Sequence, residues 1–364
     1  MLISFTVISA IFHTSALAAR RWNNTGVGTI IFEEAWTPTA LGVPVSMNTE
    51  SNTAPPVGQS ADELNANLLD VHNQRLARMD ANGVDFMILS CTSPCIQGIA
   101  DPVEAASVAR QVNDELADTI SNNTLRFGGF AALAMQNATE AAQELKRAVQ
   151  ELGFFGALVN DYQETNANGN TTLLFYDTPE FDPFWQMVTD LDVPVYFHPR
   201  ANIPTIANLE FSHSRFLLGP SQEFAVTLST HIMGLCTNGV FDRFPKLNIL
   251  VGHMGERVPS DFWRIDDQLA RQVPQGMPMQ RNLSSYWRTN LLETTSGNFG
   301  TDLLKFHISQ IGLDRILYSV DYPFVAIEQG ASFINGLPQT TGLSEEEITA
   351  LKRGRAIELL KLDQ

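Results

Sequence analysis

Four apolar stretches of this 364-residue chain end in side chains that packing alone does not require. Residues 28–34 close on Glu33-Glu34, 193–199 on His198, 247–253 on His253, and 316–323 on Asp321. Singly, each has an ordinary explanation: Glu33 as a salt-bridge or capping residue, His198 as a satisfied core histidine, Asp321 as the start of an Asx-turn. Their recurrence at corresponding positions of four stretches asks for another. Carboxylate, imidazole and carboxylate are ligands of a borderline divalent cation such as Zn²⁺, and three protein ligands leave a position open for water or substrate. Glu33, His198 and Asp321 are therefore expected to hold one catalytic metal ion. His253 has a different setting, Gly252-His253-Met254-Gly255-Glu256. The glycines let the backbone approach a ligand, and Glu256 can hydrogen-bond the imidazole and raise its basicity. That setting suits an acid/base better than a fourth ligand.

Such side chains meet only if secondary structure brings them together. The strand candidates are 28–34, 84–90, 127–134, 156–161, 193–199, 247–253, 290–296 and 316–323. Most are continuous apolar runs, as strands covered on both faces require. Helical patterns lie between them. Residues 61–82 place Leu64, Leu68, Val71, Leu76 and Met79 at three- and four-residue steps before Gly83. Residues 102–120 and 138–151 behave likewise, and Ser344 with Glu347 forms a capping box before a helix reaching about Leu360. Alternating strands and helices predict an α/β fold, a (β/α)₈ TIM barrel whose site gathers at the C-terminal strand ends. A doubly wound sheet competes, but no G-x-G-x-x-G follows the first strand. Residues 23–364 read as a single barrel domain, with an insertion at 36–60 suited to a lid or an oligomer arm.

Composition narrows the partners. Acidic residues outnumber basic ones 40 to 23, for a net charge of −17, which repels phosphate backbones; no nucleic-acid partner is expected. Residues 1–22 contain an apolar leader ending Ala16-Leu17-Ala18, the pattern of a secretory signal peptide, although no Lys or Arg precedes it. After it, no apolar run is long enough for a membrane span. Sequons at Asn23, Asn122, Asn137, Asn170 and Asn282 fit the secretory route. A secreted chain and a cytoplasmic one with an apolar leader both stay open. Cys91 and Cys95 could bind metal or, in a secreted chain, form a disulfide; inert thiols or packing is the favoured expectation.

The same residues carry a resemblance. Phe32-Glu33-Glu34-Ala35-Trp36, Tyr196-Phe197-His198-Pro199-Arg200, Gly252-His253-Met254-Gly255-Glu256, Phe262-Trp263-Arg264-Ile265-Asp266 and Ser319-Val320-Asp321-Tyr322-Pro323-Phe324 occur in this order. With Val240-Phe241-Asp242-Arg243-Phe244-Pro245, they make the chain similar, from Ile30 to Leu362, to the amidohydrolase superfamily. Within it the chain resembles the metal-dependent non-oxidative decarboxylases of hydroxybenzoates, the fungal 2,3-dihydroxybenzoate and salicylate enzymes among them. The resemblance implies Zn²⁺, or Mn²⁺, on Glu33, His198 and Asp321, no organic cofactor, and catalytic roles for Asp321, His253 and Glu256. It further implies that Arg264 and Phe324 shape a pocket for a small aromatic carboxylic acid, and that the protein is a homo-oligomer, a dimer or tetramer. Two departures stand out. Glu33-x-Ala35 lacks the second ligand of the superfamily's first-strand H-x-H, and Asn160-Asp161 offers no lysine for a binuclear centre.

The implied reaction turns an ortho-hydroxy acid, whether dihydroxybenzoate, salicylate or orsellinate-like, into the phenol and CO₂ by protonating the ring carbon. Either Asp321 or a Glu256-supported His253 supplies that proton. A mononuclear metal hydrolase or hydratase on the same barrel, and an inactive secreted binding module, are the alternatives.

Overall fold

The computed structural model describes residues 20–41, 58–167 and 170–363. The leader to residue 18 and most of the insertion expected at 36–60 lie outside them. Alternation within the strands builds the architecture. The barrel strands are β1 (Thr29–Trp36), β2 (Val84–Cys91), β3 (Phe127–Gly129) and β4 (Ala157–Asn160), then, beyond a hairpin of β5 (Gln163–Ala167) and β6 (Asn170–Leu174), β7 (Val195–His198), β8 (Ile249–Val251), β9 (Leu291–Thr294) and β10 (Ile316–Leu317). Ile30, Phe32, Phe86, Ile88, Leu158, Tyr196, Leu250, Leu292 and Leu317 form an inner cluster. Their neighbours Ile31, Met87, Leu89, Val159, Phe197, Val251, Leu291 and Ile316 join the outer layer, under the helices. Side chains at two-residue steps thus fill the barrel, and those between them bury the helical shell.

All barrel pairings are parallel, in the orders β1-β2-β3 and β4-β7-β8-β9-β10. A bridge between Ala131 and Ala157 joins the two sheets. At the other seam the Ala35 N–H donates to the Tyr322 carbonyl at 2.8 Å. Glu34 reinforces that closure, accepting from Ser319 Oγ at 2.9 Å, Val320 N at 3.2 Å and Tyr322 N at 2.8 Å. The expected eight-stranded barrel is present, and each of the eight strand candidates overlaps one of its strands.

Four local expectations need correction. The helix expected over 61–82 is two, Ala61–Leu69 and Gln74–Ala81. Asp70 breaks it by accepting from the Asn73 and Arg75 N–H groups at 3.1 and 2.7 Å. The β5–β6 hairpin was not expected, because its Gln-, Thr- and Asn-rich segments show no apolar pattern. Cys91 and Cys95, favoured as inert thiols or packing, are a disulfide, since the turn after β2 brings their Cα atoms to 5.9 Å. Residues 20–22, grouped with the leader, belong to the barrel floor. Arg20 pairs with Leu362, Trp22 Nε1 donates to the Asp363 carbonyl at 2.7 Å, and Trp22 joins the inner cluster. The Ser344/Glu347 capping box is present, and its helical run continues through a π-turn to Leu360.

Candidate active site

A β-bulge aims the first carboxylate. Ile31 is opposite Met87 but Glu34 is opposite Leu89, so β1 spends three residue steps against two on β2. The extra residue reverses the alternation: Phe32 is inside, Glu33 and Ala35 line the central cavity, and Trp36 returns to the outer layer. Both N–H groups at the bulge, Phe32 and Glu33, donate to Ser319 Oγ at 3.0 Å. Strict alternation would have buried Glu33 among the outer side chains.

The Glu33 carboxyl oxygens have different fates. Oε2 accepts short hydrogen bonds from the Tyr196 and Ser296 hydroxyls and lies 3.4 Å from Thr294 Oγ1. Tyr196, Thr294 and Ser296 extend the inward series of β7 and β9, so three hydroxyls act as one clamp. Oε1 is buried and has no hydrogen-bond partner among the described residues. It faces the cavity, 3.4 Å from His198 Nε2 and 3.4 Å from His253 Nε2. Gly252 permits this approach: a Cβ there would lie 2.6 Å from Glu33 Oε2.

The two histidines are held differently. His198 Nδ1 donates to Asn160 Oδ1 at 3.1 Å, leaving the Nε2 lone pair turned to the cavity. Burial pushes its pKa below the usual histidine value. His253 follows β8 in a left-handed turn with φ of 53°, and its Nδ1 donates to Glu256 Oε1 at 2.5 Å. Burial alone would lower its pKa, but the carboxylates of Glu33, Glu256 and Asp321 outweigh it and hold the imidazole well above the ordinary value. Asp321 also has positive φ, 79°, and its Oδ2 lies 3.8 Å from His253 Nε2. Gly297 leaves room for both, since a Cβ would stand 3.1 Å from Asp321 Oδ2. Burial raises the Asp321 carboxyl, and it pushes Glu34 up to about 7 despite the three donors on it.

One ligand atom each from Glu33, His198, His253 and Asp321 falls within 4.8 Å of the others. Two carboxylates, two imidazoles and an orphaned buried oxygen suit a divalent cation. His253 is thus as near to Glu33 as His198 is, closer than its expected supporting role suggested. The narrow cavity above is also lined by Ser90, Cys91, Thr92, Ser93, Leu158 and Phe324. Phe324 is thus among the lining residues, whereas Arg264 is exposed on the helix Phe262–Ala270 and lines a separate cavity with Phe175, Asp177 and His231. Sequence reasoning gave no role to Tyr196, Thr294, Ser296 or Ser319. Their signal was their position at two-residue steps before or beside the acidic and imidazole groups.

Residues 71–362 match the amidohydrolase family, and the chain belongs to it. It is a carboxy-lyase of that superfamily. A gamma-resorcylate decarboxylase of Polaromonas sp. is 41% identical over 304 residues, 83% of this chain and 91% of that relative. A crystal structure of 2,6-dihydroxybenzoate decarboxylase complexed with 2,6-dihydroxybenzoate matches with a TM-score of 0.83 at 39% identity, covering 92% of this chain and 99% of that one. The dihydroxybenzoic acid decarboxylase of Polaromonas sp. JS666, solved with manganese and the inhibitor 2-nitroresorcinol, matches with a TM-score of 0.81 at 38% identity, covering 93% and 98%.

Proposed function

We propose that the enzyme removes CO₂ from an ortho-hydroxy aromatic acid of the dihydroxybenzoate, salicylate or orsellinate-like kind, the last a product of secondary metabolism. The observation that carries this reading is the buried meeting of Glu33, His198, His253 and Asp321 beneath a cavity walled by Leu158 and Phe324. Glu33, His198 and Asp321 are the ligands, His198 because its Nδ1–H is committed to Asn160 and its Nε2 lone pair is free. A Zn²⁺ or Mn²⁺ ion held there would supply positive charge to the negatively charged end of the substrate.

The chain's own groups move the proton. Asp321 delivers it to the ring carbon that bears the carboxylate. The bond to the carboxyl carbon then breaks, its electron pair restores the aromatic ring, and CO₂ departs, leaving Asp321 ionised. His253 is 3.8 Å from Asp321 Oδ2 and is held by Glu256, so it is placed to return the proton. Phe324 and Leu158 exclude water from the ring. Metal analysis together with CO₂ release from ortho- and para-hydroxybenzoates tests the reading. It expects a stoichiometric divalent cation, turnover confined to ortho acids, and no turnover by Asp321→Ala or His198→Ala. Equal turnover of the para isomer would overturn it.

The leader, the Cys91–Cys95 disulfide and the exposed sequon residues Asn122, Asn137 and Asn282 support an exported glycoprotein working in an oxidising compartment. N-terminal sequencing and the mass shift on deglycosylation check this. Exposed Leu209, Phe216 and Trp263 on the outside of the barrel support a homo-oligomer, to be measured by light scattering. Among the described residues no helix is long and apolar enough to cross a membrane.

A further inference from the structure

The inward series of β2 continues past its end. Phe86 and Ile88 belong to the barrel interior, Ser90 lines the cavity, and Thr92 is the next residue at a two-residue step. Thr92 is 3% exposed and also lines the cavity, yet its Oγ1 has no hydrogen-bond partner among the described residues. The neighbouring Ser93 is satisfied, donating to the Pro199 carbonyl at 3.1 Å. Thr37 has an unpaired hydroxyl too, but it does not border the cavity.

The backbone that carries this hydroxyl is held in place. The Thr92 N–H donates to the Trp36 carbonyl at 2.9 Å, and the Cys91–Cys95 bond closes the turn. Just beyond it, Gln97 bridges the Leu133 carbonyl at 2.8 Å and the Asn160 N–H at 3.1 Å. A buried hydroxyl fixed beside a ligand cavity without a partner is costly unless a ligand supplies one.

We propose that Thr92 Oγ1 binds a second ring hydroxyl of the substrate, one not engaged by the Glu33–His198–Asp321 group, and so selects dihydroxylated acids over salicylate. This rests on the decarboxylase reading and specifies its substrate class. A site built to pair with a hydroxyl discriminates strongly against an analogue that lacks it, whereas an apolar wall does not.

The test compares wild type, Thr92→Val and Thr92→Ser on 2-hydroxybenzoate and on 2,3-, 2,4- and 2,6-dihydroxybenzoate. Wild type is expected to bind the preferred dihydroxy acid at least about tenfold more tightly than 2-hydroxybenzoate by calorimetry. Thr92→Val, close in shape, should lose about 10- to 100-fold in kcat/KM on that acid and stay within about twofold on 2-hydroxybenzoate. Thr92→Ser should recover most of the preference. Equal wild-type affinity for mono- and dihydroxy acids would overturn the assignment, and it needs no variant to fold. So would a Thr92→Val protein whose preference ratio is unchanged. If wild type released CO₂ neither from these acids nor from 2,4-dihydroxy-6-methylbenzoate, the decarboxylase reading itself would fall and this inference with it.

Discussion

Ser319 and Glu33 come from opposite ends of the chain, yet the Ser319 hydroxyl oxygen accepts the Glu33 N–H at 3.0 Å. The same oxygen takes the Phe32 N–H, and its proton goes to Glu34 Oε1. One hydroxyl thus stabilises the bulge that turns Glu33 inward. Ser319→Ala strands two buried N–H groups, at a cost of about 2–3 kcal/mol in urea denaturation. It should also weaken metal retention at least about tenfold after dialysis, because the bulge no longer holds Glu33 inward. A Ser319→Ala protein with full metal content would contradict the role given to the bulge.

Glu256→Gln keeps an acceptor for His253 Nδ1 and removes only the charge. The expected signature is a kcat reduced about 10- to 100-fold, with KM within about twofold and metal content unchanged. Loss of metal instead would mean that the pair is structural.

Stripping the cation leaves two carboxylates and two imidazoles facing one another at short range. A chelator should therefore lower the melting temperature as well as activity. Restoring Zn²⁺ or Mn²⁺ at about 100 times its dissociation constant should return about 2.7 kcal/mol. A melting curve indifferent to chelation would argue against Glu33, His198 and Asp321 as ligands.

Glu293 provides a pH effect outside the site. It is fully buried, 2.8 Å from His307 Nδ1, and burial raises its carboxyl pKa above the ordinary 4.5. Between the unfolded and the folded pKa the native state holds the extra proton. Its contribution to stability is therefore present at low pH and is lost as pH rises through that window, with a slope of at most about 1.4 kcal/mol per pH unit. Denaturation of wild type and Glu293→Gln at successive pH values should give a gap that changes in that direction and levels off above the folded pKa.

Much of this was legible in the sequence because strand ends are conspicuous. An apolar run that terminates in Glu33, His198, His253 or Asp321 announces a charged group where a barrel opens. The supporting hydroxyls were not legible for the opposite reason. Tyr196, Thr294 and Ser296 are ordinary residues to find in a strand, and only the parity of β7 and β9 shows that they share the interior with Glu33. The bulge was hidden as well, since two consecutive glutamates do not say which one turns inward. Arg264 illustrates the converse: a motif position can be met in order along the chain and still line a different cavity.

The pairing of Arg20 with Leu362 sets a limit on maturation. Removal of a leader after Ala18 spares the short N-terminal strap that crosses beneath the barrel. A cut only four residues later would release Trp22 from its edge-to-face contact with Phe86, whose ring centroid is 6.4 Å away, and uncap the apolar interior from below. Trimming at this end is therefore an all-or-little affair, and an affinity tag is safest upstream of the strap, where proteolysis can take it off without touching Arg20.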